Sequence, residues 1–374
     1  MPGMTATPAP EFRRAPWPAR LATLATLATL ALLAACSTPG GGRGAGPQGP
    51  AVSPQDATVA PSASTLAAQA TLTHMVGLQD RLYRVAAPLL IENADLCKNQ
   101  ARSLLGFTAK NKYSYPGIYA DAAEAALGYG EQLQVTGVLA GSGAARVGLR
   151  RGDNLVSANG LTLPTGVNAE TAAAGIFGPL VSSRATLAMA IERRGTIQTM
   201  TVPVTRACAF RVDLGNSDNI NSYADGNRIL ITRGMINYAQ SDDAIAYVMA
   251  KDMAHNILGH ATLQRNVATE GSIIDSLASV RPDLSMLIGS GGIKPMPPEL
   301  DAAADRLALY LLARAGYGID GAARFWQRLA SDYPASVLND YVANHPGTPQ
   351  RIAAINKAVA EIHGKQASRR PLIP

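Results

Sequence analysis

Lys251, Asp252 and His255 fall within five positions of one largely apolar stretch, Ala246–His260. On a helix, positions i and i+4 share a face, so Lys251 and His255 project together and Asp252 lies beside them. A carboxylate and an imidazole at this spacing are the raw material of acid–base chemistry or metal ligation. An ammonium is not: Lys251 has no lone pair to give a cation near neutral pH unless its pKa falls by several units. Further along, Glu299-Leu300-Asp301-Ala302-Ala303-Ala304-Asp305 sets two carboxylates four residues apart, and Asn344-His345-Pro346 adds a histidine.

The elements that must position these groups are legible in outline. Ser241-Asp242-Asp243-Ala244 is an N-cap sequence for the helix carrying Lys251. Gly289–Pro298, rich in Gly and Pro, lies between the two candidate helices and reads as a mobile lid over a cleft. From Leu66 to Lys98 apolar residues recur at steps of three and four (Met75, Leu78, Leu82, Val85, Leu89, Leu90), predicting a helix, with His74 solvated or packed. From Ser103 to Arg206 the texture changes to short alternating runs punctuated by Gly, including Ala185–Ile191 and Met200–Val204 around an Arg193-Arg194-Gly195 turn, and an Asn159-Gly160 hairpin turn. The 374 residues suffice for two or three domains. Part of the net charge of +6 comes from Arg13, Arg14 and Arg20 near the start, and nothing points to nucleic-acid binding.

Those arginines precede an apolar run, Leu21–Ala34, which is shorter than the roughly 20 residues of a membrane span and suits a signal-peptide core. It ends in Leu33-Ala34-Ala35-Cys36, which resembles a bacterial lipobox; the resemblance implies lipidation of Cys36, with a plain signal peptide or an N-terminal anchor helix as the alternative. Ser37 after the cysteine is similar to outer-membrane sorting signals. The Pro/Gly/Ser/Ala-rich stretch that follows cannot pack a core and reads as a tether. Export would place Cys97 and Cys208 in an oxidising compartment, where they either form a disulfide or remain buried thiols.

Two family resemblances complete the reading. Val135–Ala145, Gly148–Val156 and Asn159-Gly160 resemble the core of a bacterial PDZ domain. That resemblance implies that Leu105, Gly106 and Phe107 form a carboxylate-binding loop beside a groove for an extended peptide, unless the loop is merely a strand end and the domain only packs on its neighbour. From Cys208 to Gly364 the chain resembles the zinc metalloendopeptidases of the HtpX, Oma and CAAX-prenyl-protease type, peptidase family M48. Asn221–Ala224 and Arg228–Met235 are similar to strands beside the active helix, where an edge strand would align substrate backbone; the resemblance continues through Ala315-Gly316-Tyr317, Phe325-Trp326 and Asn344–Ile352.

In such enzymes two histidines and a glutamate occupy the positions of Lys251, His255 and Asp252. The resemblance therefore implies His255 and Asp301 as zinc ligands, Asp252 as general base, His345 as a catalytic partner of metal or substrate, and Asp305 behind the ligands, with Lys251 standing at a degenerate ligand position. His260, five residues after His255, reads as structural on another face. Two arrangements are open: a metal-free site with Lys251 between Asp301 and Asp252, or a rearranged zinc site of His255, Asp301 and His345.

The expected architecture is α+β: a lipoprotein signal (1–35), a lipid-anchored tether (36–65), an N-terminal helix (66–102), a β-rich PDZ domain (103–206), a mainly helical gluzincin-like peptidase domain (207–364) and a solvated, frayed tail (365–374) with weak attraction to anionic lipid. The expected function is that of an envelope lipoprotein of the periplasm, a degenerate peptidase binding polypeptide clients in quality control, or alternatively an active zinc endopeptidase.

Overall fold

Ser62 caps the first helix, its hydroxyl accepting the Thr65 N–H at 3.2 Å, so α1 (Ala63–Glu92) starts slightly earlier than the apolar periodicity suggests. In this computed structural model residues 62–260, 298–333 and 349–374 are described. The readings placed on the leader, Cys36, most of the tether, Gly289–Pro297 and His345 lie outside them. Helix α1 buries Leu72, Met75, Leu82, Val85, Leu89 and Leu90. It stops at Asn93 rather than running on to Lys98, because the buried Asn93 amide donates to Leu89 O (2.9 Å) and, across the fold, to Leu311 O (3.0 Å). Cys97 then forms a disulfide with Cys208, with Cα atoms 5.6 Å apart. His74 is exposed.

Strand β1 (Ala101–Leu104) pairs antiparallel with β8 (Thr205–Cys208), tying both ends of a sheet-rich region to the end of α1. Within it, β2 (Phe107–Lys110), β3 (Gln134–Val138), β4 (Asn154–Ala158), β6 (Thr186–Arg193) and β7 (Thr196–Pro203) form one sheet in the order β2-β3-β4-β6-β7, and β5 (Leu161–Thr162) pairs with β4. Both two-residue turns take left-handed backbone: Asn159 (φ 49°) with Gly160 (φ 80°), and Arg194 (φ 53°) with Gly195 (φ 74°). The helices of this region are α2 (Ile118–Leu127), packed on α1, the short α3 (Gly143–Arg146) and α4 (Ala169–Ser183). Its core is built on Leu133, Val135, Leu155, Leu187, Met189, Ile191 and Val202.

A second sheet holds β9 (Arg211–Gly215), β10 (Ser222–Ala224) and β11 (Arg228–Thr232), with β11 in the centre, parallel to β9 and antiparallel to β10. Of the two segments expected to flank the active helix, β10 is therefore the edge among the described residues and β11 is not. The outer edge of β9 is covered by α1: Gln79, almost fully buried, donates to Val212 O at 3.2 Å and accepts from Leu214 N at 3.0 Å. Around this sheet pack α5 (Arg233–Ala239), α6 (Asp242–Ile257), α7 (Pro298–Arg314), α8 (Ala322–Asp332) and α9 (Pro349–Ala367), sharing one core with α1. The tail does not fray as expected. Lys365 Nζ donates to Ile373 O and to the Tyr310 hydroxyl, each at 2.6 Å, and Arg314 reaches Leu372 O at 3.4 Å, which holds the last residues against α7. Among the described residues, no helix is long and apolar enough to cross a membrane.

Candidate functional site

Helix α6 is capped by Ser241, whose hydroxyl accepts from Ala244 N at 3.1 Å, and Asp242 and Asp243 favour its positive N-terminal end. Every residue from Ala244 to Asn256 is buried, so polar side chains on α6 must find partners inside the fold. Lys251, 1% exposed, places Nζ 2.7 Å from Asp301 Oδ1 and 3.9 Å from Asp305 Oδ1, both on α7. Asp305 is in turn gripped by Arg351 of α9, whose Nε and Nη2 donate at 2.6 and 2.9 Å; Arg351 Nε also lies 3.8 Å from Asp301 Oδ2. Trp326 of α8 receives both cations on its ring, Lys251 at 5.0 Å and Arg351 at 4.8 Å from the centroid. Two cations, two carboxylates and one indole thus close a buried cluster drawn from four helices.

Burial pushes the Lys251 pKa down, the Arg351 charge adds to that, and Asp301 and Asp305 push it back up. Arg351 moves upward overall, because its hydrogen bonds to Asp305 and the nearby carboxylates outweigh burial, its largest single influence.

His255 sits one turn further on, Nε2 3.5 Å from Asp301 Oδ1. Its Nδ1 lies 2.9 Å from Nδ1 of His260. The structure thus brings His260 to His255 rather than to another face: α6 ends at Ile257, and Gly259 (φ 73°) turns the chain back, so helical phase no longer applies. Burial lowers the pKa of both rings, that of His260 to about 4, so both are neutral near pH 7 and one Nδ1–H donates to the other ring. Asp252, fully buried, faces the sheet. Neither of its oxygens has a hydrogen-bond partner among the described residues, and the hydroxyl of Ser222 on β10, also buried, has none of good geometry. Burial raises Asp252 to about 7, and the pull of Ser222 and Lys251 only moderates that rise.

These residues do not fit a zinc ion. An amine stands where the family resemblance would put the first ligand, and it already contacts Asp301, the carboxylate that resemblance offers as another. Among the described residues, no group of three or more His, Cys, Asp or Glu could hold a metal. Burial brings Asp252 to about 7, a value suited to proton transfer near neutral pH, so the misfit lies in the ligand set and not in the basicity of this carboxylate. The structure brings Lys251, His255, Asp301 and Asp305 together; Lys251 lies between Asp301 and Asp305 rather than between Asp301 and Asp252, because Asp252 is on the sheet side of α6, and His345 lies outside the described residues. Local pattern gives Trp326 and Arg351 no role, because the residues they meet lie on other helices, Asp305 46 positions from Arg351 and Lys251 on α6 far along the chain from Trp326; a lone Arg in a helix carries no such signal.

Leu105-Gly106-Phe107 lies elsewhere, between β1 and β2. Gly106 takes φ +77°, and a Cβ there would come within 2.6 Å of Ser142 Cβ, so only glycine fits. Its carbonyl accepts from Leu139 N at 2.9 Å and Ser142 Oγ at 3.2 Å. The loop borders a mostly apolar cavity of about 600 Å³ between the outer edge of β2 and Phe177 and Val181 of α4, backed by Tyr83 of α1 and Val212 of β9.

Residues 182–280 match the sequence profile of peptidase family M48. Curated relatives include the mitochondrial metalloendopeptidase OMA1 of Schizosaccharomyces pombe, 24% identical over 147 residues, which is 38% of this chain and 44% of that one. The protein of the same name from Arabidopsis thaliana is 24% identical over 154 residues, or 40% of this chain and 32% of the relative. The aligned stretch thus spans less than half the length of either relative. Profile and relatives together support the M48 metallopeptidase family, whose members are typically zinc-dependent; the match starts at Ser182 and so takes in β6 and β7 as well as α6.

Proposed function

We propose that this chain is a peptidase-type binding protein: a family M48 frame that has exchanged its metal for an internal cation and holds polypeptide clients without cleaving them. One observation carries the reading, the 2.7 Å contact of the buried Lys251 amine with Asp301. The charge a metal would bring to Asp301 is brought by a side chain, so the helices stay packed while the electrophile that would activate water is missing.

The edge strand β10 beside α6, and the β2–α4 groove, are the two places suited to extended polypeptide. The β2–α4 arrangement supports reading residues 103–206 as a PDZ domain, with Leu105, Gly106 and Phe107 at the end of the groove that would take a C-terminal carboxylate. We further propose, from the leader, Cys36 and Ser37, a lipid-anchored envelope location, attached to the outer membrane and facing the periplasm, and a part in protein quality control.

The named activity of the relatives favours a second reading, a zinc-dependent endopeptidase with His255 and Asp301 as ligands, His345 as a further partner and Asp252 as base. An unfolded reporter protein separates the two. Incubation with the purified chain and added zinc is expected to give a complex and an intact reporter; fragments that vanish with a chelator would establish the second reading instead.

A further inference from the structure

The geometry points to a second polypeptide-binding surface, on the opposite edge of the large sheet from the β2 groove: the open edge of β7 and the arginine-lined pocket at its head receive an acidic, extended segment. The inference is independent of whether α6 carries a metal.

Among the described residues β7 pairs with β6 alone, and it is the far edge of the sheet. Its last residue is covered, since Gly143 of α3 packs so closely on the Pro203 carbonyl that a Cβ would lie 1.9 Å away. Its first half is not: Thr196, Ile197 and Thr199 are exposed, Ile197 by 65%. An exposed strand edge offers unpaired N–H and C=O groups to an incoming strand.

The pocket gives that strand a charge preference. About 450 Å³ in volume, it is lined by Arg150, Arg151, Arg193 and Arg194 with Asp153 as its sole carboxylate, and by Thr196 and Gln198 of β7 itself. Asp153 is spoken for: it accepts Arg193 Nε and Nη2, both at 2.6 Å, and the Arg150 N–H at 2.8 Å. Those bonds fix the two turns that carry the arginines. Arg151 pairs with Asp80 of α1. Arg150 and Arg194, both exposed, have no carboxylate partner among the described residues. Thr196 and Gln198 are two apart, so they share the pocket face of β7. A strand added alongside would aim every second side chain over the same face, which sets the partner's chemistry: acidic residues at alternate positions.

The test uses the full chain and a fluorescent peptide alternating Glu with Thr or Val. Expected are binding that weakens with salt, protection from hydrogen exchange at the Thr196–Met200 amides, and a loss of about tenfold or more in three comparisons. These are the Gln-for-Glu peptide, a peptide N-methylated at alternate amides, and the Arg150→Ala/Arg194→Ala variant. Equal binding of the N-methylated peptide would overturn strand addition, and equal binding by the variant would overturn the pocket. Binding of phosphatidylglycerol vesicles with no binding of the acidic peptide would also overturn the proposal, showing a lipid-facing patch instead. Exchange protection read on the unsubstituted chain decides the matter even if the variant fails to fold.

Discussion

Lys251 and Asp301 meet at 2.7 Å across the α6–α7 interface, each almost fully buried, with Arg351 and Trp326 closing the far side. Removing one member of a buried ion pair leaves the other uncompensated, at a cost of about 3–5 kcal/mol. Lys251→Met is expected to lower the thermal midpoint markedly, whereas Lys251→Met/Asp301→Asn should recover much of the loss. Scanning calorimetry of the three proteins checks this, and an unchanged midpoint in Lys251→Met would show that the amine does no electrostatic work.

Asp252 gives a pH dependence with a definite sign. Its folded pKa, about 7, lies above the ordinary 3.8, so between these values the folded state binds the extra proton. Stability from this group is fully present below about pH 4 and declines as pH rises to about 7, by at most about 4 kcal/mol. Asp252→Asn should therefore remove a downward slope between pH 4 and 7 and make the protein the more stable of the two at pH 8. Denaturation by urea at pH 5 and pH 8 measures it, and parallel curves for the two proteins would contradict the burial of an ionisable, unpartnered acid.

Much of this site was legible in the residues. The Ser241 cap and the apolar run predicted α6, and Lys251 and His255 share its face as i, i+4 spacing requires. The approach of Asp301 came from family resemblance, not from local pattern. What stayed hidden depends on the chain returning. His260 reaches His255 only because α6 stops at Ile257, and a helical extrapolation put it on another face. Arg351 and Trp326 join the cluster from helices whose own patterns show only an amphipathic face. The docked tail is hidden for the same reason, since Lys365 looks like a surface cation until Tyr310 and Ile373 are placed beside it, and Arg314 until Leu372 is.

Gln79 shows how a polar residue inside an apolar helix stripe can serve a sheet. Gln79→Ala would strip partners from Val212 O and Leu214 N, each buried, at about 1–3 kcal/mol. The expected signature is faster hydrogen exchange at the Leu214 amide, beyond any global destabilisation. An unchanged rate would mean that the edge of β9 does not depend on α1.

The Cys97–Cys208 disulfide closes a separation of 111 residues. A loop of that size corresponds to about 4–5 kcal/mol in the chain-entropy treatment. A Cys97→Ala/Cys208→Ala variant should unfold at lower urea, and the oxidised chain should show no free thiol at these positions on labelling after denaturation. Ready alkylation of both cysteines would contradict the bridge.

The central claim, that a side chain has taken the place of a metal, is tested most directly by metal content. The full chain and a Lys251→His/Asp252→Glu variant would be purified in metal-replete buffer without chelators, and zinc per protomer counted by elemental analysis. The expected result is no bound zinc in the natural chain and close to one per protomer in the variant, showing that the pocket survives and that Lys251 fills it. Near-stoichiometric zinc in the natural chain would contradict the account and return the protein to the active metallopeptidases.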